Sequence, residues 1–128
     1  MEYGLTSDFI NRQKERLLEH KSGILNKLAN SLQDLHVSEE DLSDEVDLGQ
    51  SILGQNYALG LRERDLMRLR EIELALRKIE VGEYGVCEES GDVIEFKRLE
   101  RLPWARLSLF HAEEEERKLK HFAKRLYL

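Results

Sequence analysis

Leu69-Arg70-Glu71-Ile72-Glu73-Leu74-Ala75-Leu76-Arg77-Lys78-Ile79 decides the fold. Leu69, Ile72, Leu76 and Ile79 recur at alternating spacings of three and four. That spacing puts them on one face of an α-helix and forms the seam of a coiled coil. Upstream, Leu59 and Leu66 stand seven apart and extend the predicted helix back to about residue 44. Arg62, Glu63, Arg64, Asp65, Arg68, Arg70, Glu71 and Glu73 are assigned to its exposed face. Gly54 and Gly60 weaken the early half by roughly 1 kcal/mol each relative to alanine. Gly82 is the expected stop.

A second stripe precedes it. Thr6, Ser7 and Asp8 are N-cap candidates. Ile10, Leu17 and Ile24 then recur every seven residues, with Leu28, Leu32 and Leu35 continuing the pattern. The reading is an amphipathic helix from about residue 7 to about residue 35. Neither helix can bury its stripe alone, and the link between them is short. An antiparallel hairpin follows, with arms on the order of 45 Å at 1.5 Å per residue. Such a hairpin is too thin to enclose a catalytic pocket. The link, Ser38-Glu39-Glu40-Asp41-Leu42-Ser43-Asp44-Glu45-Val46-Asp47, is acidic and contains no lysine or arginine. A solvated turn accounts for this, as do acids that complement the dipole of a helix capped by Ser43.

After Gly82 the periodicity breaks. Residues 84–87 and 92–96 read as two short strands around a turn at Ser90-Gly91, and residues 98–104 as a connector. From about Leu109 the chain is helical again. Phe110, Leu119, Phe122, Ala123 and Leu126 are its apolar anchors, Glu113 to Glu116 its acidic run, and it is expected to pack back on the lobe or hairpin base. The fold class is mainly α. Residues 1–81 form a long coiled-coil hairpin with an acidic tip near 38–47; residues 82–128 form a small zinc-finger-like lobe and a C-terminal helix.

Inside the lobe, Cys87, Ser90, Ser108 and His111 stand as two x-x dyads about twenty residues apart, as in a zinc knuckle. A structural zinc site needs thiolates or imidazoles at all four corners, and serine is a poor ligand. Either the fold has lost its metal or the pattern is chance, so no cofactor is expected. The alternative is a weak site in which Cys87 and His111 hold zinc with waters or Glu88. Without metal, Trp104, Phe96, Phe110 and Phe122 are available to fill the lobe, each contributing roughly 1.5 to 3 kcal/mol if fully buried.

Composition excludes several classes. The chain has 128 residues, 36% of them charged, a net charge of -6, one proline and one cysteine. The negative balance argues against nucleic-acid binding and fits a partner with a basic channel. One cysteine leaves no internal disulfide. No apolar run suits a bilayer, and the first residues lack the features of a secretion signal. A cytoplasmic protein is expected. No nucleophile–base pair, phosphate-cradling loop or metal quartet is present, and His20, His36, His111 and His121 share no ligand spacing. An enzyme is not expected.

Several pieces, in order, resemble the DksA/TraR family of bacterial RNA polymerase-binding regulators. They are Asp44-Glu45-Val46-Asp47-Leu48-Gly49, Leu61-Arg62-Glu63-Arg64-Asp65, Gly85-Val86-Cys87-Glu88-Glu89-Ser90-Gly91, and Lys97-Arg98-Leu99-Glu100 with Pro103. The resemblance implies a hairpin that enters the polymerase secondary channel and alters initiation through acidic tip residues, without binding DNA. Asp44 and Asp47 match the tip aspartates, and Gly49 replaces the family's alanine. Arg62, Arg64, Arg68 and Arg98 are the candidate basic contacts on hairpin and lobe. Cys87, Ser90, Ser108 and His111 map onto the zinc positions. Glu71, Leu102 and Ala112 stand where relatives offer basic groups to guanosine tetraphosphate, so weak or no dependence on that nucleotide is expected. The expected protein is a monomer with RNA polymerase as partner. The competing reading is a helical adaptor or dimerising coiled coil with no polymerase role.

Overall fold

The computed structural model describes the backbone of residues 5–40 and 45–127, and the side chains of that span except at 32–40, 45–53, 55, 57 and 127. Four helices follow in order: α1 (Ser7–Glu40), α2 (Glu45–Val81), α3 (Phe96–Arg101) and α4 (Leu109–Tyr127). None of the described helices is long and apolar enough to cross a membrane. The chain divides into two compact units, one of Met1–Leu17 with Glu71–Leu128, the other of Leu18–Arg70.

In the unit Leu18–Arg70, α1 and α2 run antiparallel. Lys27 Nζ lies 3.7 Å from Asp65 Oδ2, and Arg62 Nη2 lies 3.4 Å from Ser31 Oγ. Advancing four residues along α1 thus retreats three along α2, as antiparallel pairing requires. The buried face of α2 differs from the sequence reading. Ala58, Leu61, Arg62, Asp65 and Arg68 are half-buried, whereas Leu59 and Leu66 are 45% and 40% exposed. The cause is helical phase. At 3.6 residues per turn, or about 100° per residue, Leu66 and Leu59, six and thirteen residues before Ile72, lie about 120° and 140° round the helix from it, whereas Asp65 and Ala58, seven and fourteen before it, lie within about 40°. Tracing back from Ile72 at 3.6 leads to positions 68, 65, 61 and 58, and not to 66 and 59. Downstream the two phases coincide: Leu69, Leu76 and Ile79 are half-buried, and Ile72 and Ala75 fully buried.

The other unit holds the main core. Thr6 caps α1, its Oγ1 accepting from Phe9 N at 3.1 Å. Leu5, Phe9 and Leu17 from the N-terminal segment are buried, as are Ile72, Ala75, Tyr84, Cys87, Ile94, Leu99 and Leu107. At the end of α2, Gly82 takes φ +78°. Glu83 N reaches back to Lys78 O at 2.8 Å and Gly82 N to Ile79 O at 3.3 Å. This double closure satisfies the last carbonyls and needs a residue without Cβ strain.

One polar side chain sits in this core. Gln13 is 2% exposed. Its Nε2 donates to Leu99 O at 2.6 Å and to Tyr84 Oη at 3.0 Å. Its Oε1 accepts from Arg16 Nη1 at 2.8 Å, and Tyr84 Oη donates onward to Pro103 O at 2.8 Å. An amide from α1 therefore satisfies a carbonyl of α3 and a tyrosine beyond the end of α2. Gly85 lies beside this network at φ +84°, and a Cβ there would come within 2.6 Å of Leu5 Cδ1.

Three expectations for the lobe change. The two strands reduce to one antiparallel bridge, Val86 with Val93, although the turn between them is present with Gly91 at φ +74°. The connector is largely helical, as α3. The large aromatics do not fill the lobe: Phe96, Phe110 and Phe122 are 51%, 65% and 60% exposed, and Trp104 is half-buried. Aliphatic side chains and Tyr84 occupy the centre instead, while Phe96 stacks on Phe9 with centroids 4.6 Å apart. The tail helix places Ala112, Glu114 and Glu115 in half-buried positions and exposes residues 116–126.

Two outcomes are expected. Gln13→Ala strands a buried carbonyl and removes two donor contacts, lowering the unfolding free energy by about 2 kcal/mol; urea denaturation measures it, and a loss under about 0.5 kcal/mol contradicts the network's role. Burial pushes the Tyr84 hydroxyl up to about 12, against the opposing pull of the Gln13 hydrogen bond and the Arg16 charge. Its contribution is then fully present below pH 10 and lost as pH rises through about 12. Tyr84→Phe should flatten that alkaline decline.

Candidate functional site

The sequence-predicted tip falls largely beyond description. Asp44 lies outside the described residues. Asp47 and Gly49 are the third and fifth residues of α2 in backbone trace, with Asp47's side chain outside the described set. An acid at that position is favoured by the helix dipole.

The basic candidates separate. Arg64 is exposed. Arg62 and Arg68, assigned to the outer face, are half-buried, because the 3.6-residue phase turns them inward. Arg62 Nε is buried with no hydrogen-bond partner among the described residues. Arg98 is half-buried, and its Nε donates to Leu107 O at 2.9 Å, tying α3 to the segment before α4. The guanidinium also lines a groove of about 550 Å³ with Glu95, Lys97, Arg101, Leu102 and Leu109. Lys97 and Arg101 were missed as site residues. The signal was the repeated Lys97-Arg98 and Arg101 on a segment read as a connector; on a helix they flank one groove.

Of the knuckle positions, Ser90 and Ser108 both come within reach of Cys87. Cys87 is 1% exposed, with Sγ 3.7 Å from Ser108 Oγ. The loop around it is closed by Cys87 N to Asp92 O at 2.8 Å and Gly91 N to Cys87 O at 2.9 Å. Glu88 N donates to Arg106 O at 3.0 Å, joining it to the segment before α4. The His111 ring meets that of the adjacent Phe110 edge-on, centroids 5.1 Å apart. Among the described residues, no group of three or more His, Cys, Asp or Glu side chains is placed to hold a metal ion. One thiol, one imidazole and two hydroxyls do not fit a closed tetrahedral zinc site, which needs thiolates or imidazoles at all four corners. Burial pushes the Cys87 thiol up, but the side chains and backbone of Ser90 and Ser108 outweigh it and bring it down to about 6.

Beside the thiol runs a chain of ion pairs that the sequence concealed. Glu88 Oε1 lies 2.7 Å from Lys78 Nζ and its Oε2 3.1 Å from Arg106 Nη1. Arg106 Nη2 reaches both Glu115 oxygens, at 2.5 and 2.7 Å. Burial opposes ionisation of Glu88, yet Lys78 and Arg106 hold its carboxyl below the usual range. Burial likewise opposes the Arg106 charge, and Glu115 and Glu88 raise it. These four residues are too far apart in sequence for any spacing rule to link them.

The chain is 34% identical over 105 residues to the RNA polymerase-binding transcription factor DksA of Caulobacter vibrioides, covering 82% of this chain and 74% of that one. Its fold is similar to transcription factor DksA2 from Pseudomonas aeruginosa, with TM-score 0.75, 28% identity, and 88% and 86% of the two chains covered. It is also similar to the RNA polymerase binding protein and transcriptional regulator Dks from Chlamydia trachomatis, with TM-score 0.58, 27% identity, and coverage of 90% and 95%. No family model matches the chain.

The knuckle yields a pH prediction. Titrating the thiolate absorbance of the folded protein should give a midpoint at about 6, and Ser108→Ala should move it upward. A depressed thiol stabilises the fold fully above its ordinary value of 9.0, and that gain is lost as pH falls through about 6. A native midpoint between about 8 and 9, the range of a free thiol, would show that the serines do not hold the thiolate.

Proposed function

Because the chain belongs to the DksA/TraR family, we propose that it binds bacterial RNA polymerase and regulates transcription initiation by inserting the acidic link between α1 and α2 into the secondary channel. One observation carries the reading. The register of Lys27 with Asp65 and Ser31 with Arg62 pairs the two helices antiparallel, so the chain reverses between the end of α1 at Glu40 and the start of α2 at Glu45. The acting residues are Asp44, with Asp47 and Gly49 as the third and fifth residues of α2. A channel that admits nucleotides and serves a metal-dependent centre is basic. It attracts carboxylates over a distance and guides their entry.

The remaining roles follow from chemistry. The protein acts in the cytoplasm as a regulator, not as an enzyme, and its net charge of -6 keeps it off DNA. Arg64, Arg98, Lys97 and Arg101 supply accessory basic contacts. Guanosine tetraphosphate exerts little control, because Glu71, Leu102 and Ala112 offer it no cation. The helical-adaptor reading draws on Leu25, Leu59, Leu66 and Met67, all 40% exposed or more. Light scattering tests the dimerising form of that reading, and co-purification with core polymerase separates the adaptor from the regulator.

The expected outcome in vitro is specific. The full chain co-purifies with core polymerase and shifts open-complex lifetime. The double variant Asp44→Asn, Asp47→Asn still binds but loses most of that effect, by tenfold or more if each lost charge contact is worth about 1 kcal/mol. An unchanged effect in the double variant, or no binding by the folded wild type, rejects the mechanism.

A further inference from the structure

The donor set at Cys87, Ser90, Ser108 and His111 disagrees with the zinc site its spacing suggests, and a different set of residues spans the same gap. A metal at that place would join the dyad before residue 91 to the dyad after residue 107. Glu88 is next to Cys87 in the first dyad. Arg106 comes two residues before Ser108, and Glu115 four residues after His111. Lys78, in the last turn of α2, completes the series.

We infer that this lobe closes without a metal, and that the ion-pair chain Lys78–Glu88–Arg106–Glu115 makes the cross-links that a four-ligand zinc would make. Four segments meet in it: the end of α2, the turn containing the Val86–Val93 bridge, the segment before α4, and α4 itself. The geometry suits the task. Glu88 uses one oxygen for each of two cations, at 2.7 and 3.1 Å. The Arg106 guanidinium presents Nη1 to Glu88 and Nη2 to Glu115, so one planar group fixes two segments in a set direction. A backbone bond runs parallel to the chain, from Glu88 N to Arg106 O at 3.0 Å. Beneath it the metal positions have become an internal contact, Cys87 Sγ with Ser108 Oγ at 3.7 Å. The burial of Cys87, Ile94, Leu99 and Leu107 supplies the apolar floor.

A metal cross-link and an ionic one respond oppositely to solution conditions. Chelators remove a structural zinc and unfold its domain, with little dependence on salt. The side chains of the ion-pair chain are between 21% and 43% exposed, so salt weakens it as the screening length falls to about 3 Å at 1 M.

The test uses the full chain. Protein purified without chelator should contain well under one zinc per chain by elemental analysis, and its melting temperature should not move with EDTA or with added zinc. Raising sodium chloride to about 1 M should lower the melting temperature by several degrees. Glu88→Gln and Arg106→Met should each lower it by about 3 to 6 °C, and their combination by less than the sum, because each breaks the same link. If Arg106→Met does not fold, Glu88→Gln and the salt series on the wild type still give the answer. One equivalent of tightly held zinc, or melting raised by zinc and lowered by EDTA, overturns the metal-free closure. Melting unmoved by both Glu88→Gln and salt overturns the ionic cross-link.

Discussion

The amide of Gln13 is the constraint on which the lobe depends. A buried carbonyl at Leu99 and a buried phenol at Tyr84 both need a partner, and one side chain from α1 serves both. A hydrophobic residue at position 13 would pack well, but it would leave Leu99 O without its donor and Tyr84 Oη with Pro103 O alone. The amide also fixes rotation. Gln13 reaches both partners only if α1 presents one particular face, which sets Phe9 and Leu17 inward beside it. Specificity and stability here come from one polar group among aliphatic ones, the arrangement in which an unsatisfied partner is most costly.

Charge does comparable work nearer the surface. A chain with 36% charged residues cannot put all of them in bulk water at no consequence to its neighbours. Lys78, Glu88, Arg106 and Glu115 alternate in sign, so each interior member meets two opposite charges. That alternation outweighs the partial burial of Glu88 and Arg106. Isolated surface pairs contribute little, but a connected series shares its ordering cost among several contacts.

The helices were legible because their signals are local. Thr6 caps α1, Gly82 ends α2, and the 69–79 seam lies on the buried side, as three and four spacing demands. The errors were of two physical kinds. Placing Leu59 and Leu66 in the seam matched their spacing of seven but not the phase of the seam, whose face runs back from Ile72 through Asp65 and from Leu69 through Arg62. Reading Asp92 to Phe96 as a strand weighed β-branched residues more heavily than the helical capacity of Lys97 to Arg101. Local pattern also could not reveal Gln13, since a glutamine on an amphipathic helix normally faces solvent. Nor could it show the ion-pair chain, whose members meet only once the fold exists. Of the candidate site, the Cys87–Ser108 approach was legible from spacing, while the Arg98–Arg101 groove needed α3.

The inward turn of Arg62 and Asp65 has a kinetic corollary. Where Lys27 and Ser31 of α1 meet Asp65 and Arg62 of α2, ammonium, guanidinium, carboxylate and hydroxyl groups take part of the interface. Water competes for those contacts, so transient separation of the two helices there exposes less apolar area than a leucine seam would. Amide protons of that stretch should therefore exchange through local opening, well before those of Ile72 to Ile79, whose release requires the whole core to come apart.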